Sequence, residues 1–174
     1  MRILSFVAVT ALLTGCVSKQ EYPTEWTQVS PSNFDCPMIS GTYSSIGELK
    51  DNSYSPSLNT ILNIHGLADS LAIHADDKKL TITPYKNALE ISTIEIAIPK
   101  ESIYCEDGYL VFEEEQNYNQ GGALAQEWHT YYLTTNAEGL VIKQRQSTLG
   151  MLFFVPIASS ETSWILFRNT LSSL

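Results

Sequence analysis

The side chains best suited to chemistry in this chain are its histidines and serines. The three histidines, His65, His74 and His129, show no spacing typical of a zinc or copper site, such as His-x3-His. Serines are plentiful, but no Gly-x-Ser-x-Gly motif frames one of them as a nucleophile. The sequence therefore predicts no catalytic residue, no metal site and no cofactor, and it favours a non-enzymatic protein.

The longest run of charges of one sign is Glu113-Glu114-Glu115, at the end of an apolar stretch. Successive residues of a strand face opposite sides, so the three carboxylates cannot converge on one calcium ion. The functional interpretation is an acidic patch that binds a basic partner or a calcium ion. A charged strand end that discourages aggregation is the interpretation that the pattern favours.

An uncharged apolar run extends from Gly150 to Ile157 and begins with Met151, Leu152, Phe153 and Phe154. One interpretation is a fully buried strand that crosses the core. The other is an apolar loop that meets a protein partner, a ligand or the bilayer. We take residues 151–154 as the candidate binding surface, and the exposure of Phe153 and Phe154 would distinguish the two interpretations.

The first residues have the features of a secretory signal. Arg2 supplies the positive start, Ile3 to Leu13 form an apolar run, and small residues follow. This run is too short for a transmembrane helix, which needs about 20 apolar residues. We therefore expect a signal peptide over residues 1–15. An ordinary cleaved signal that leaves Cys16 as a free thiol is the alternative.

The stretch Leu13-Thr14-Gly15-Cys16 resembles the lipobox of bacterial lipoprotein precursors. In that class the chain is cut before the cysteine, the sulfur receives a diacylglyceryl group, and the new amine is acylated, for example with palmitate. The resemblance implies lipidation at Cys16, and two acyl chains already give stable attachment. Val17 resembles the outer-membrane default of enteric lipoproteins. We therefore expect anchoring to the outer membrane, facing the periplasm, with the inner membrane or the cell surface as alternatives.

Composition narrows the partners. The net charge of −9 disfavours nucleic acid as a partner and also disfavours anionic lipid headgroups, so the lipid must hold the protein on the membrane. With Cys16 assigned to lipid, Cys36 and Cys105 remain. A periplasmic chain meets an oxidising compartment, so we expect these two to form a disulfide. Two buried free thiols are the alternative.

The remaining pattern positions these residues on a β-rich domain. Residues 16–33 are polar and aperiodic, which predicts a lipidated tether, although Trp26 could dock back on the domain. We expect residues 34–170 to form a single globular domain. A short helix is expected over about residues 56–65, where Ser55 is a good N-cap and His65 closes an apolar stripe. About eight short strands joined by tight turns predict a small antiparallel barrel or barrel-like sandwich.

A second resemblance covers the domain itself. The opening from Cys36 to Tyr43, the stretch from Cys105 to Leu110 and the closing Trp164 to Arg168 are similar to small lipoproteins of Gram-negative bacteria. This resemblance implies a β-rich domain and no particular activity. We therefore expect a non-enzymatic envelope lipoprotein that binds another protein, in assembly, as a pilotin or as an immunity protein. The alternative is a barrel that carries a small apolar ligand or lipid in an internal cavity.

Overall fold

The computed structural model describes residues 16–29, 36–50, 54–120, 123–152 and 155–170 of the 174-residue chain. In this part the fold is mainly β, with two sheets and one short helix, which confirms the predicted class. The described strands form no closed barrel, and the arrangement is a barrel-like sandwich. The strands are β1 (Cys16–Lys19), β2 (Ile39–Ser44), β3 (Glu48–Leu49), β4 (Ser70–Ala75), β5 (Lys79–Lys86), β6 (Leu89–Glu90), β7 (Ile94–Ala97), β8 (Ile103–Glu106), β9 (Tyr109–Gln120), β10 (Ala123–Thr135), β11 (Gly139–Leu152) and β12 (Val155–Arg168).

The larger sheet has the order β1-β12-β11-β10-β9-β8, and β3 also pairs with β12. Its hairpin turns are formed by residues that favour tight turns. Asp107 and Gly108 between β8 and β9 both have positive φ angles, 50° and 79°, as a type I′ turn requires. Between β10 and β11, the Asn136 side-chain oxygen accepts hydrogen bonds from the backbone N–H groups of Glu138 and Gly139. These turns fix the register of the long strands.

The smaller sheet has the order β2-β4-β5-β6, and β7 also pairs with β5. Burial alternates along β4 and β5, so that Leu71, Ile73 and Ala75 of β4 are buried while His74 is exposed. Apolar side chains of both sheets fill the space between them. The most deeply buried of these are Ile39, Tyr43, Leu58, Leu71, Ile73, Leu80, Ile82, Leu110, Leu133, Leu140, Ile142 and Phe167.

Cys36 and Cys105 lie at disulfide distance, with their Cα atoms 4.9 Å apart. Cys36 comes just before β2 of the smaller sheet, and Cys105 lies in β8 of the larger one. The pair predicted from the cysteine count therefore links the two layers of the sandwich.

The helix is shorter than predicted. It is the single turn α1 (Leu58–Ile61), with Ser57 rather than Ser55 at its N-terminal boundary. Asn63 has a positive φ of 51°, which ends the helix before His65. The expectation that His65 closes an apolar stripe is therefore wrong, and this side chain is exposed. No helix among the described residues is long and apolar enough to cross a bilayer.

Residues 16–29 were expected to belong to a flexible tether, but they lie along the larger sheet. β1 pairs in parallel with β12, and Trp26 is buried against Val141 and Leu166 on the outer side of that sheet. The docked Trp26 covers apolar surface that the sheet would otherwise expose to water. Residues 30–33, the rest of the expected tether, lie outside the described residues, as do residues 34 and 35 of the expected domain and the expected signal peptide.

Candidate functional site

The longest strands continue past the end of the smaller sheet. The apolar core reaches along the larger sheet as far as Phe112, Tyr131, Ile142 and Ile165, and these lie close to one another in register. Beyond them, residues 113–120, 123–130, 143–152 and 155–164 form a four-stranded extension that we call the blade. Its inner face is the one that is continuous with the core. This face has no second sheet over it among the described residues.

Charge is divided between the two faces of the blade. The inner face carries the carboxylates of Glu114, Glu127 and Glu161, because these positions alternate in phase with core residues such as Leu133 and Ile165. The lysine and arginines of β9–β12 all fall in the opposite phase. They are Lys143, Arg145 and Arg168. The inner face is therefore acidic, because no lysine or arginine of these four strands lies on it and only the His129 imidazole lies beside its carboxylates.

An ordered polar cluster occupies the centre of the inner face. The Glu127 carboxylate lies 3.7 Å from the His129 Nε2 atom, and their side chains are only 14% and 13% exposed. The Gln146 amide donates a hydrogen bond to Glu127. The ring of His129 stacks on that of Tyr131, with centroids 6.1 Å apart and planes 8° from parallel. These contacts hold the side chains in one arrangement before any ligand arrives.

The titration of Tyr131 indicates what this cluster can do. Burial, and next the negative charge of Glu114, raise the pKa of Tyr131 to about 12, so its hydroxyl stays neutral at physiological pH. A neutral phenol beside carboxylates is suited to hydrogen bonding and not to nucleophilic attack. The Nδ1 atom of His129 is buried without a hydrogen-bond partner among the described residues. The cluster is therefore suited to binding.

A groove of about 500 Å³ runs beside this cluster, between the inner face of β11 and β12 and the strand β1. Its lining is mostly polar and includes one aromatic ring, that of Tyr54. The lining residues are Ser18, Lys19, Gln20, Leu49, Tyr54, Gln144, Gln146, Glu161, Thr162 and Ser163. The groove is open to solvent along its length and could accept an extended segment of another chain.

The far end of the blade is apolar and exposed on both faces. Leu124, Leu149 and Met151 lie on the outer face, and Val155 and Ile157 lie on the inner face, with exposed fractions between 41% and 57%. A groove of about 590 Å³ on this end is lined by both apolar and amide side chains. Exposure of Met151 and Val155 is inconsistent with a fully buried strand at these positions.

The predicted site residues are placed as follows. Met151 belongs to this exposed end, and Leu152 is the last residue of β11, while Phe153 and Phe154 lie outside the described residues. Cys16 begins β1 and pairs with Ser159 of β12. The described residues contain no group of three or more His, Cys, Asp or Glu side chains that could hold a metal ion.

The glutamate run alternates as expected. Glu113 and Glu115 lie on the outer face, and Glu114 lies on the inner face. Glu113 accepts a hydrogen bond of 2.9 Å from the Tyr104 hydroxyl, and Glu114 accepts one of 3.0 Å from the Gln116 amide. The three carboxylates therefore do not share a ligand site.

The sequence did not point to the pair Glu127 and His129. Both residues lie before the apolar part of β10, which begins at Tyr131. Polar residues on both faces of this part of the strand leave no hydrophobic alternation that would predict which face they occupy. The turn at Asn136 sets the register between β10 and β11, and this register places Glu127 opposite Thr148. Comparisons of this chain with protein-family models, curated proteins and solved structures find no match.

Proposed function

We propose that the protein is a non-enzymatic lipoprotein of the cell envelope. It is anchored by lipid on Cys16, faces the periplasm from the outer membrane, and binds another protein through the inner face of its blade. The observation that carries the proposal is this uncovered acidic face, which continues directly from the core of the domain. Half of a long sheet left open on its core-facing side is a surface that a partner can complete.

The chemistry of the face favours a protein partner with a basic, extended segment. Glu114, Glu127 and Glu161 supply negative charge, and no lysine or arginine of β9–β12 shares their face. Complementary charge would steer such a partner to this face and discourage acidic ones. Tyr54 adds exposed aromatic surface, which is enriched where proteins bind one another. The preordered cluster lowers the entropy lost on binding.

The alternative function, a carrier of an apolar ligand, receives less support. A carrier requires a hollow apolar interior of several hundred Å³. The space between the sheets is occupied by packed side chains, among them Phe167 and Tyr43. The groove beside the inner face is open at the surface and is lined mainly by polar groups. A pocket of about 660 Å³ beside Cys36 and Cys105 has a mainly apolar lining, but it also opens at the surface.

Site-specific photo-crosslinking in living cells tests the binding face. A photoreactive residue at Gln144 points to the inner face, and the same residue at the neighbouring Arg145 points to the outer face. We expect one discrete protein adduct from position 144 that is absent from position 145. The proposal is contradicted if position 144 gives no protein adduct, or if both positions give the same adducts.

Charge reversal provides the matched pair of variants. Glu161→Lys introduces a positive charge on the inner face, and Glu115→Lys introduces the same charge on the outer face. The first should abolish the adduct at position 144, and the second should leave it. The anchor is tested separately by the mass of the N-terminal peptide, which should carry a diacylglyceryl group and an acyl chain on Cys16.

A further inference from the structure

We infer that the apolar end of the blade dips into the bilayer beside the lipidated cysteine and holds the blade upright on the membrane. The inference rests on the proposed anchor at Cys16. We define the tip as the described residues 117–120, 123–126, 149–152 and 155–158, which are the last rows of β9–β12. The occupant of this surface is a phospholipid membrane.

The direction of β1 supplies the first argument. Because β1 runs parallel to β12, its first residue lies toward the tip and its last toward the base. Cys16 is level with Ser159, which pairs with Thr148, and this residue pairs in turn with Glu127. The tip begins immediately beyond this row. Lipid on Cys16 would therefore enter the membrane at the side of the tip.

The distribution of charge supplies the second argument. The sequence from Asn117 to Gln126 and the sequence from Leu149 to Ala158 contain no Asp, Glu, Lys or Arg. Charged residues of the four strands begin with Glu127, in the row of Cys16, and continue toward the base. The boundary between charged and uncharged rows thus coincides with the predicted lipidation site, although the chain is strongly acidic elsewhere.

The shape of the tip distinguishes a bilayer from a protein partner. Apolar side chains project from both faces, Leu149 and Met151 on one and Val155 and Ile157 on the other. A protein interface is usually one patch on one side, whereas hydrocarbon surrounds an inserted element. Trp128 lies one row toward the base, a position typical of aromatic residues at the membrane surface.

The expected depth is shallow. The tip is four residue rows long, which corresponds to about 13 Å at roughly 3.3 Å per residue. The outer edges of β9 and β12 have no neighbouring strand at the tip among the described residues, so their free backbone groups need water. Asn117 and Asn119 also keep one side polar. The tip should therefore rest among the headgroups and the upper acyl chains, as interfacial elements do, at a depth of about 5–10 Å.

Photo-crosslinking to lipid tests the insertion in cells that express the full chain. A photoreactive residue is placed at Met151 or at Ile157, one on each face of the tip. The control position is Ala137, which is exposed in the turn at the opposite end of the larger sheet. We expect a mass shift equal to a phospholipid at both tip positions and none at Ala137.

A variant pair tests whether the apolar character is required. Leu149→Glu places a charge in the tip, and Ser147→Glu places one on the same face just outside it. With the photoreactive residue at Met151, the first variant should lose the phospholipid adduct and the second should keep it. Leu149 is exposed and Ser147 is half-buried, so we expect both variants to fold. The unfolding midpoint of each variant, measured separately, would detect a folding defect.

Protein adducts at both tip positions would overturn the insertion and assign the tip to a protein partner. Absence of any phospholipid adduct would also overturn it, provided that mass analysis finds lipid on Cys16. If Cys16 carries no lipid, the proposed anchor fails on its own. Phospholipid adducts at the tip would then still establish insertion, and their absence would reject both ideas.

Discussion

The link between Cys36 and Cys105 gives the prediction with the best-defined magnitude. The two residues are separated by 69 positions in the chain. In the chain-entropy model, a closed loop of this length stabilises the folded state by about 4 kcal/mol at 25 °C, because it restricts the unfolded ensemble. The link also joins the two sheets of the sandwich, so its loss would affect the whole domain and not one hairpin.

The direct comparison is between oxidised and reduced protein of the same sequence, since no side chain is changed. Urea unfolding can be followed by the fluorescence of Trp26 and Trp164, which both pack near the outer face of the larger sheet. With a urea dependence of about 2 kcal/mol per molar, a loss of about 4 kcal/mol lowers the unfolding midpoint by roughly 2 M. The variant Cys36→Ser/Cys105→Ser should show a similar midpoint to the reduced protein.

Two results would refute this reasoning. One is an unchanged urea midpoint after complete reduction, which would mean that the link does not restrict the unfolded chain. The other is the alkylation of both thiols in protein purified from the periplasm without reductant. A fall of less than about 1 kcal/mol would indicate that the unfolded ensemble keeps the two segments close together, since the entropic model assumes that they are free.

Further predictions concern the docked N-terminal segment. Trp26→Ala removes a ring that is buried against Val141 and Leu166, and large-to-small changes of this kind lower the free energy of unfolding by about 3–5 kcal/mol. The urea midpoint should therefore fall well below that of wild type, and protease should cleave within residues 16–29. The control Trp128→Ala, at a half-buried ring, should lower the free energy of unfolding by less, and an equal decrease in both variants would contradict the docking. The backbone N–H and hydroxyl of Thr27, followed by Arg168, lower the pKa of Glu138 from its usual value of 4.5. The ionised carboxylate therefore contributes stability that is complete above pH 4.5 and is lost as the pH falls through the folded-state pKa. The thermal unfolding temperature of Glu138→Gln should vary less with pH in this acidic range than that of wild type. Parallel curves of unfolding temperature against pH for the two proteins would count against the interaction.

The sequence predicted best those elements whose two faces differ. The alternation around Leu71 and Ile73 is typical of a strand such as β4, and Asp107-Gly108 is typical of a two-residue hairpin turn such as the one between β8 and β9. In both places local preference and burial agree. The disulfide partners also followed, because the count left a single pairing once Cys16 was assigned to lipid.

The blade could not be predicted in the same way. Beyond Tyr131, the strands β9–β12 are polar on both faces in the middle. At the tip, β11 and β12 contribute apolar residues on both faces, so no alternation marks these segments as strands. Their extension depends on register set by distant turns. β1 was missed for a related reason, since its four residues show no apolar alternation that would mark a strand. The inner-face pair of Glu127 and His129 was missed with them, although Met151 was found from its apolar neighbours.

The parallel pairing of β1 with β12 has a mechanical consequence. Tension between an acyl chain at Cys16 and the body of the domain would act along the axis of β1 and toward the tip. In that geometry the hydrogen bonds along Cys16–Lys19, and the one from the Gln20 N–H to the Thr162 carbonyl, share the load in shear instead of opening one after another. An antiparallel strand in this position would start at the base and would be peeled away bond by bond. With lipid on Cys16 as proposed, the short first strand would transmit this tension to the domain in shear.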